Sequence, residues 1–325
     1  MSIYKTAESV SPKHPDKICD QISDAILDAY LKHDPDSRVA IDVAGGHNKI
    51  FVTGEVSSNF HNVDIAPIVK RLAGDIELTT AIVKQSPEIA RGVDIGGAGD
   101  QGVMVGYACS ETKQLLPLEV VMSRKLNQYL YTKWPYDGKT QVTLEDNTLV
   151  SVVASFQNVK RSSLESAVQD WLKNELNDNY HPKNVTLFVN PAGDWHTGGF
   201  DADSGLTGRK LVVDNYGPRV PIGGGAFSGK DPSKVDRSAA YMARKIAIDL
   251  IAKEKASEVY VYLAYAIGVD KPLESIAIVD SKEKEISGYD LSPTGIIDLL
   301  KLKRPIYEAT ARYGHFGHSE FSWEK

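Results

Sequence analysis

Cysteine is nearly absent from this chain: its 325 residues include only Cys19 and Cys109, far apart and in no CxxC spacing. That scarcity excludes a disulfide framework and argues against a zinc knuckle. An excess of positive charge is missing too. Thirty-seven Lys and Arg face 43 Asp and Glu, for a formal net charge of −6. No global field therefore draws in nucleic acid or an anionic membrane, and any phosphate chemistry has to come from a local cluster of cations. No apolar run approaches the ~20 residues that span a bilayer. The opening MSIYKTAESVSPKHPDK has no apolar signal-peptide core, so the expectation is a cytoplasmic protein that binds neither nucleic acid nor membrane.

What is present is an ordinary soluble composition, 42% hydrophobic and 25% charged, over a length that calls for two or three compact units. His14-Pro15-Asp16 opens a helix: Pro15 suits its first turn and Asp16 the positive end of its dipole. Ile18, Ile22, Ile26 and Tyr30 then recur along one face. Arg38 to Ala44 and Lys49 to Ser57 alternate as strands, and Asp64 to Leu72 fits an amphipathic helix. Further strands are expected at Gln101 to Ala108, Thr140 to Leu144, Leu149 to Gln157, Glu258 to Ala266 and Ser275 to Val279. Helices are expected at Leu118 to Tyr131, Leu164 to Glu175, Lys234 to Ile251 and Pro293 to Leu299, with a short element at Leu211 to Asp214. This order predicts an α+β protein of three similar α/β units, 1–95, 96–197 and 198–325, with mainly antiparallel sheets and helices on one face.

The densest chemical signal is Gly223-Gly224-Gly225-Ala226-Phe227-Ser228-Gly229-Lys230-Asp231. Glycines let backbone N–H groups approach phosphate oxygens, and Lys230 and Lys234 add charge just before a helix. The string nearly meets a Walker A pattern, but Asp231 and Pro232 stand where a magnesium-binding Ser or Thr belongs, and Gly217, Pro218 and Pro221 leave no strand to feed the loop. A plain glycine turn would leave the lysines unexplained. A second glycine segment, 97–102, and the His14/Asp16 pair are each ambiguous alone.

Taken together, KHPDK (13–17), KQSPEI (84–89), GAGDQG (97–102), DGKTQV (137–142), GLTGRK (205–210), GGGAFSGKDPSKVDRSA (223–239) and the ending PIYEATARYGHFGHSEFSWEK occur in this order. Over nearly its whole length the chain resembles methionine adenosyltransferases of the bacterial and eukaryotic type. The resemblance implies formation of S-adenosylmethionine from ATP and methionine, with hydrolysis of the triphosphate. It places His14, Lys139, Arg209, Lys210 and Lys230 on the phosphates, and Asp16 and Asp236 on magnesium, two ions per site. It gives Glu55, Gln85 and Lys234 to methionine, and Asp203 to both substrates. Asp100, Asp137, Asp194, Trp195 and Ala226 complete the ATP contacts. Trp195 stands where the family has phenylalanine, and Asp42 where it has a potassium-binding glutamate, one methylene longer.

The family also implies a homodimer with shared sites and a tetramer beyond it. KHPDK and KQSPEI would come from one subunit, GLTGRK and GGGAFSGKD from the other. Lys13 replaces a family glycine and would add a cation at the phosphate end. Asn158 stands where relatives have histidine, the lid between Gln85 and Asp100 is short, and the chain is trimmed before Gln85 and between Val279 and Leu291. Two rival readings are a P-loop kinase and a non-catalytic homologue. The latter would be expected to have lost one of Asp16, Lys139 or Asp236, and all three are present.

Overall fold

The computed structural model describes residues 2–85, 96–176 and 184–325. In chain order they form β1 (Tyr4–Val10), α1 (Pro15–Leu31), β2 (Arg38–Gly46), β3 (Lys49–Ser57), α2 (Ile65–Ala73) and β4 (Glu77–Val83). Next come β5 (Gly102–Cys109), α3 (Leu118–Lys133), β6 (Gly138–Glu145), β7 (Thr148–Phe156), α4 (Arg161–Leu176) and β8 (Thr186–Val189). The last third holds β9 (Gly205–Leu206), α5 (Leu211–Asp214), α6 (Val235–Glu254), β10 (Glu258–Tyr265), β11 (Glu274–Val279), β12 (Lys282–Glu285) and α7 (Pro293–Leu300).

The strands make three four-stranded sheets, and each sheet takes one strand from another third of the chain. β1 joins β6–β7–β8, β5 joins β10–β11–β12, and β9 joins β2–β3–β4. This exchange is cyclic: first third into central sheet, central into last, last into first. Each borrowed strand pairs antiparallel. The fourth strand is parallel where a helix carries the chain back across the sheet, as α2 does between β3 and β4 and α4 between β7 and β8. Where β11 runs straight into β12 the pair is antiparallel, since only a crossover connection brings a strand back in the same direction. The fold is α+β as expected, but the sheets do not follow the contiguous divisions of the sequence.

Helices cover one face of each sheet: α1 lies on β2, α3 on β1 and β6, and α6 on β5 and β10. His14 caps α1 from an extended backbone, its side chain accepting the Asp16 N–H, and Pro15 takes the first helical position. Ile18, Ile22, Ile26 and Tyr30 are buried as their spacing demands, yet so are Asp16, Lys17, Asp20 and Asp24 on the other side. A helix buried all round with charges on one side needs partners for those charges. They come mainly from the last third, from its loops and from α5 and α6.

Among the C-terminal turns, burial first and then the neighbouring Arg124 guanidinium hold the His318 pKa down at about 4. The unfolded chain takes that proton near the ordinary value of ~6.5. This group's contribution to stability is therefore complete above ~pH 6.5 and lost as pH falls toward 4. Urea midpoints measured at about pH 7.5 and about pH 5 should fall less for His318→Gln than for the wild type. An equal or larger fall in the variant would contradict this account.

Candidate active site

The structure gathers the expected phosphate and metal residues into two clusters on one chain. At the first, Asp16 is fully buried and accepts from Leu206 N at 3.0 Å, from Arg209 Nε at 2.8 Å and from Lys210 Nζ. Burial alone would raise its carboxyl pKa, but the Lys210 hydrogen bond and the Leu206 N–H outweigh it and hold it below the usual range. His14 is 3% exposed. Burial, then Lys210 and Lys139, push its pKa down to about 3, so it is neutral at physiological pH. Its Nδ1 accepts the Asp16 N–H at 3.2 Å, which leaves the ring proton on Nε2. His14 is thus a neutral hydrogen-bond donor surrounded by cations. Lys139, exposed on β6, and Asp203 both lie within its electrostatic reach.

The second cluster is the glycine-rich loop. Lys230 Nζ pairs with Asp236 at 2.5 Å, and Asp236 sits at the first turn of α6. A Cβ on Gly224 or Gly225 would press against the Asp236 carboxylate, and one on Gly223 against the backbone of β5. Gly224 and Gly225 are therefore required for close approach of backbone to carboxylate, and Gly223 for close approach to β5. No strand feeds this loop, since residues 216–230 are irregular apart from an isolated bridge between Lys230 and Ala40. Asp231 is tied to Val39 N, Ser233 N and Lys234, a structural knot where a Walker A loop carries its metal ligand.

The remaining residues fall around these clusters. Asp137 Oδ2 accepts Gly199 N at 3.1 Å, and burial raises its pKa. It lines a cavity of about 460 Å³ with Tyr136, Gln157, Gly198 and Phe200. Trp195 is half-buried beside Gln157 and Gly198. Asp194 accepts Arg161 N at the start of α4. Asp100 accepts Gln101 N, and Ala226 abuts Gly208. Asp42 and Glu55 share the face of the β2–β3 sheet opposite α1, because Asp42 lies two residues from Ala40, the register partner of Glu55. Gln85 is 7% exposed, and among the described residues its Oε1 has no hydrogen-bond partner.

Two expectations need correction. The resemblance places KHPDK and GLTGRK on different subunits, yet Asp16 binds Arg209 and Lys210 of its own chain. Both segments belong to one cluster because β9 brings the loop onto β2 directly beside the start of α1. Lys13 does not reach the phosphate end: its amine donates to Leu72 O at 3.0 Å, where a cation suits the C-terminal end of α2. The lid lies largely in 86–95, outside the described residues.

A further group of carboxylates on α1, outside the motifs, ties down loops of the last third. Asp20 accepts Gly208 N and Asp24 accepts Gly229 N, each at 2.8 Å, while Asp28 accepts Tyr307 N and Glu308 N. Their signal was available as aspartates at 16, 20, 24 and 28, one every four residues on a helix.

Among the described residues no helix is long and apolar enough to cross a membrane. Three family models match the chain: the S-adenosylmethionine synthetase N-terminal domain over residues 2–91, the central domain over 95–195 and the C-terminal domain over 197–325. The S-adenosylmethionine synthase of Treponema denticola is 41% identical, covering 99% of this chain and 95% of that protein. Those of Clostridium tetani and Helicobacter hepaticus are each 42% identical, covering 98% and 100% of this chain and 96% of each relative. These alignments run over 370 to 376 positions against 325 residues, so the relatives carry segments this chain lacks. With its motifs in family order and matches along its full length, the chain belongs to the S-adenosylmethionine synthetase family.

Proposed function

We propose that this chain is a methionine adenosyltransferase in which the two clusters carry the triphosphate of ATP as it leaves ribose C5′ under attack by methionine sulfur. The observation that carries this reading is the convergence of Arg209 and Lys210 on one buried carboxylate, with the His14 ring beside it on the Asp16 N–H, in a chain that is acidic overall. Thioether sulfur is a neutral nucleophile and needs no general base. The barrier lies in charge developing on the leaving group, so preorganised donors and cations aimed at it are the main catalytic contribution. His14 Nε2–H, Lys139, Arg209, Lys210 and Lys230 supply them. The same groups then hold the triphosphate during its hydrolysis to phosphate and diphosphate.

Asp16 and Asp236 offer hard oxygen donors, and the bare glycines over Asp236 put no side chain against its carboxylate. This fits magnesium, which takes one or two carboxylates together with substrate phosphates. When bound, magnesium would neutralise phosphate charge. Asp42 fits potassium less well: Lys230, itself a cation, lies within its electrostatic reach, and no step is derived through that ion. Asp100, Asp137, Asp194, Trp195 and Ala226 are assigned to the nucleoside side. Glu55, the unsatisfied Gln85 and Asp203 would receive the methionine ammonium, and Lys234 its carboxylate.

Incubation with ATP, methionine and magnesium, followed by mass detection, should yield S-adenosylmethionine, phosphate and diphosphate. γ-Phosphate transfer without S-adenosylmethionine would overturn the reading in favour of a kinase.

The active unit we assign is a homodimer with shared sites. Among the described residues nothing covers the sheet face that bears Asp42 and Glu55, which carries Phe51, Val83 and Leu206 at 42%, 61% and 43% exposure, a flat surface suited to a partner. On one chain the two loops meet where Ala226 abuts Gly208, but they join β2 at different points: Lys230 bridges to it at Ala40, while β9, leading to Arg209, joins it at Ala44, roughly 13 Å further along the strand. A two-fold partner would bring the first cluster of one chain to the second cluster of the other. Mixing inactive His14→Ala chains with inactive Lys230→Ala chains should restore activity, since a mixed dimer holds one intact site. No rescue despite proven subunit exchange would reject the shared site.

A further inference from the structure

The cations of the proposed site stand on two loops, and both loops hang from α1 by the same device. Gly208 immediately precedes Arg209 and Lys210, and its N–H reaches Asp20 Oδ1 at 2.8 Å. Gly229 immediately precedes Lys230, and its N–H reaches Asp24 Oδ1 at 2.8 Å. Both glycines hold a left-handed backbone, at φ +74° and +81°, a conformation other residues adopt only with strain. A Cβ on Gly208 would overlap Ala226, and one on Gly229 would overlap the carbonyl of Ile41. Each loop is thus clamped on one side by a carboxylate and on the other by close contact. The two carboxylates are completely buried. They are matched by internal cations, Lys17 at 2.9 Å from Asp20 and Arg237 at 2.6 Å from Asp24. Lys17 also reaches Asp214 at 2.5 Å. Neither carboxylate is free to serve as a ligand.

We propose that Asp20 and Asp24 are positioning residues for the reaction, setting through the Gly208 and Gly229 amides where Arg209, Lys210 and Lys230 meet the leaving triphosphate. The inference rests on the functional reading of those three cations. A carboxylate buried on a rigid helix is a better fixed point than a loop's own contacts. An error of about 1 Å in a charge-stabilising group can cost on the order of 10²-fold in rate.

Asp20 is the residue to vary, because Asp24 also carries the buried Arg237. Asp20→Asn keeps an acceptor for the Gly208 N–H, and Lys17 keeps Asp214. Asp20→Ala removes the acceptor. The expected result is a kcat lower by on the order of 10²-fold in Asp20→Ala, with the KM for methionine little changed and kcat largely rescued in Asp20→Asn. A folded Asp20→Ala with wild-type kcat, or equal losses in both variants, would overturn the proposal. Amide exchange in the unmodified protein reads the tie without any variant: the Gly208 and Gly229 amides should exchange as slowly as those of α1. Rapid exchange at both would overturn the proposal even where Asp20→Ala fails to fold. Wild-type turnover in an Arg209→Ala, Lys210→Ala protein would instead overturn the functional reading and leave the amide result standing.

Discussion

Asp16→Asn should lower single-turnover formation of S-adenosylmethionine by about 10³-fold or more at saturating ATP and magnesium, with a much smaller loss in ATP binding. The expectation follows from the several demands on this one carboxylate. It holds Arg209 and Lys210 together, accepts the Leu206 N–H and is the magnesium donor of the first cluster in the proposed site. Asparagine can still accept one hydrogen bond, so the loop should stay near its place and the fold should survive. The negative charge is lost, and with it the balance that keeps two cations side by side. Contacts that strengthen as the leaving group gains charge act on the transition state more than on bound ATP. Asp236→Asn should behave alike at the second cluster. Wild-type rates in both variants would refute the metal assignment.

The largest loss of stability should come from Arg237→Met. Arg237 is fully buried on α6. It donates to both oxygens of Asp24, at 2.6 and 2.9 Å, to Lys230 O at 3.0 Å and to Thr310 at 3.1 Å, and its guanidinium lies 4.2 Å from the centre of the Tyr307 ring. Removing one partner of a buried ion pair leaves the other charge without compensation and costs about 3–5 kcal/mol. Urea unfolding of the intact protein should show a loss of that order. The double variant Asp24→Asn, Arg237→Met should recover part of it, because no unpaired charge then remains. A single variant within about 1 kcal/mol of the wild type would contradict this picture of the network.

Much of this protein was legible in its sequence, for reasons that are local. The helix at Pro15–Leu31 was readable because Pro15, Asp16 and the isoleucine spacing all act within one segment. The β2–β3 hairpin and α6 were readable likewise. β12 escaped because Lys-Glu-Lys-Glu is an exposed edge with no apolar alternation, and β9 because two residues carry no period. β1, β4 and β8 also went unseen. The residues of the proposed site are picked out by motifs in order, since each motif is contiguous and local: glycines where backbone approaches closely, lysines beside them.

What the sequence determined by itself was therefore the kind of chemistry, the motifs of the proposed site and most helices and strands. The tertiary structure alone decided which motifs meet. Cyclic strand exchange brings residues nearly two hundred positions apart to one carboxylate, and that pairing is set by long-range sheet register, to which no short stretch of sequence responds. It decided too that Lys13 supports α2 instead of facing phosphate. Finally, it turned evenly spaced aspartates on α1 into a stripe, buried at Asp16, Asp20 and Asp24, from which the loops of the proposed site hang. Burial is a property of what packs against a residue, and those partners lie in the last third of the chain.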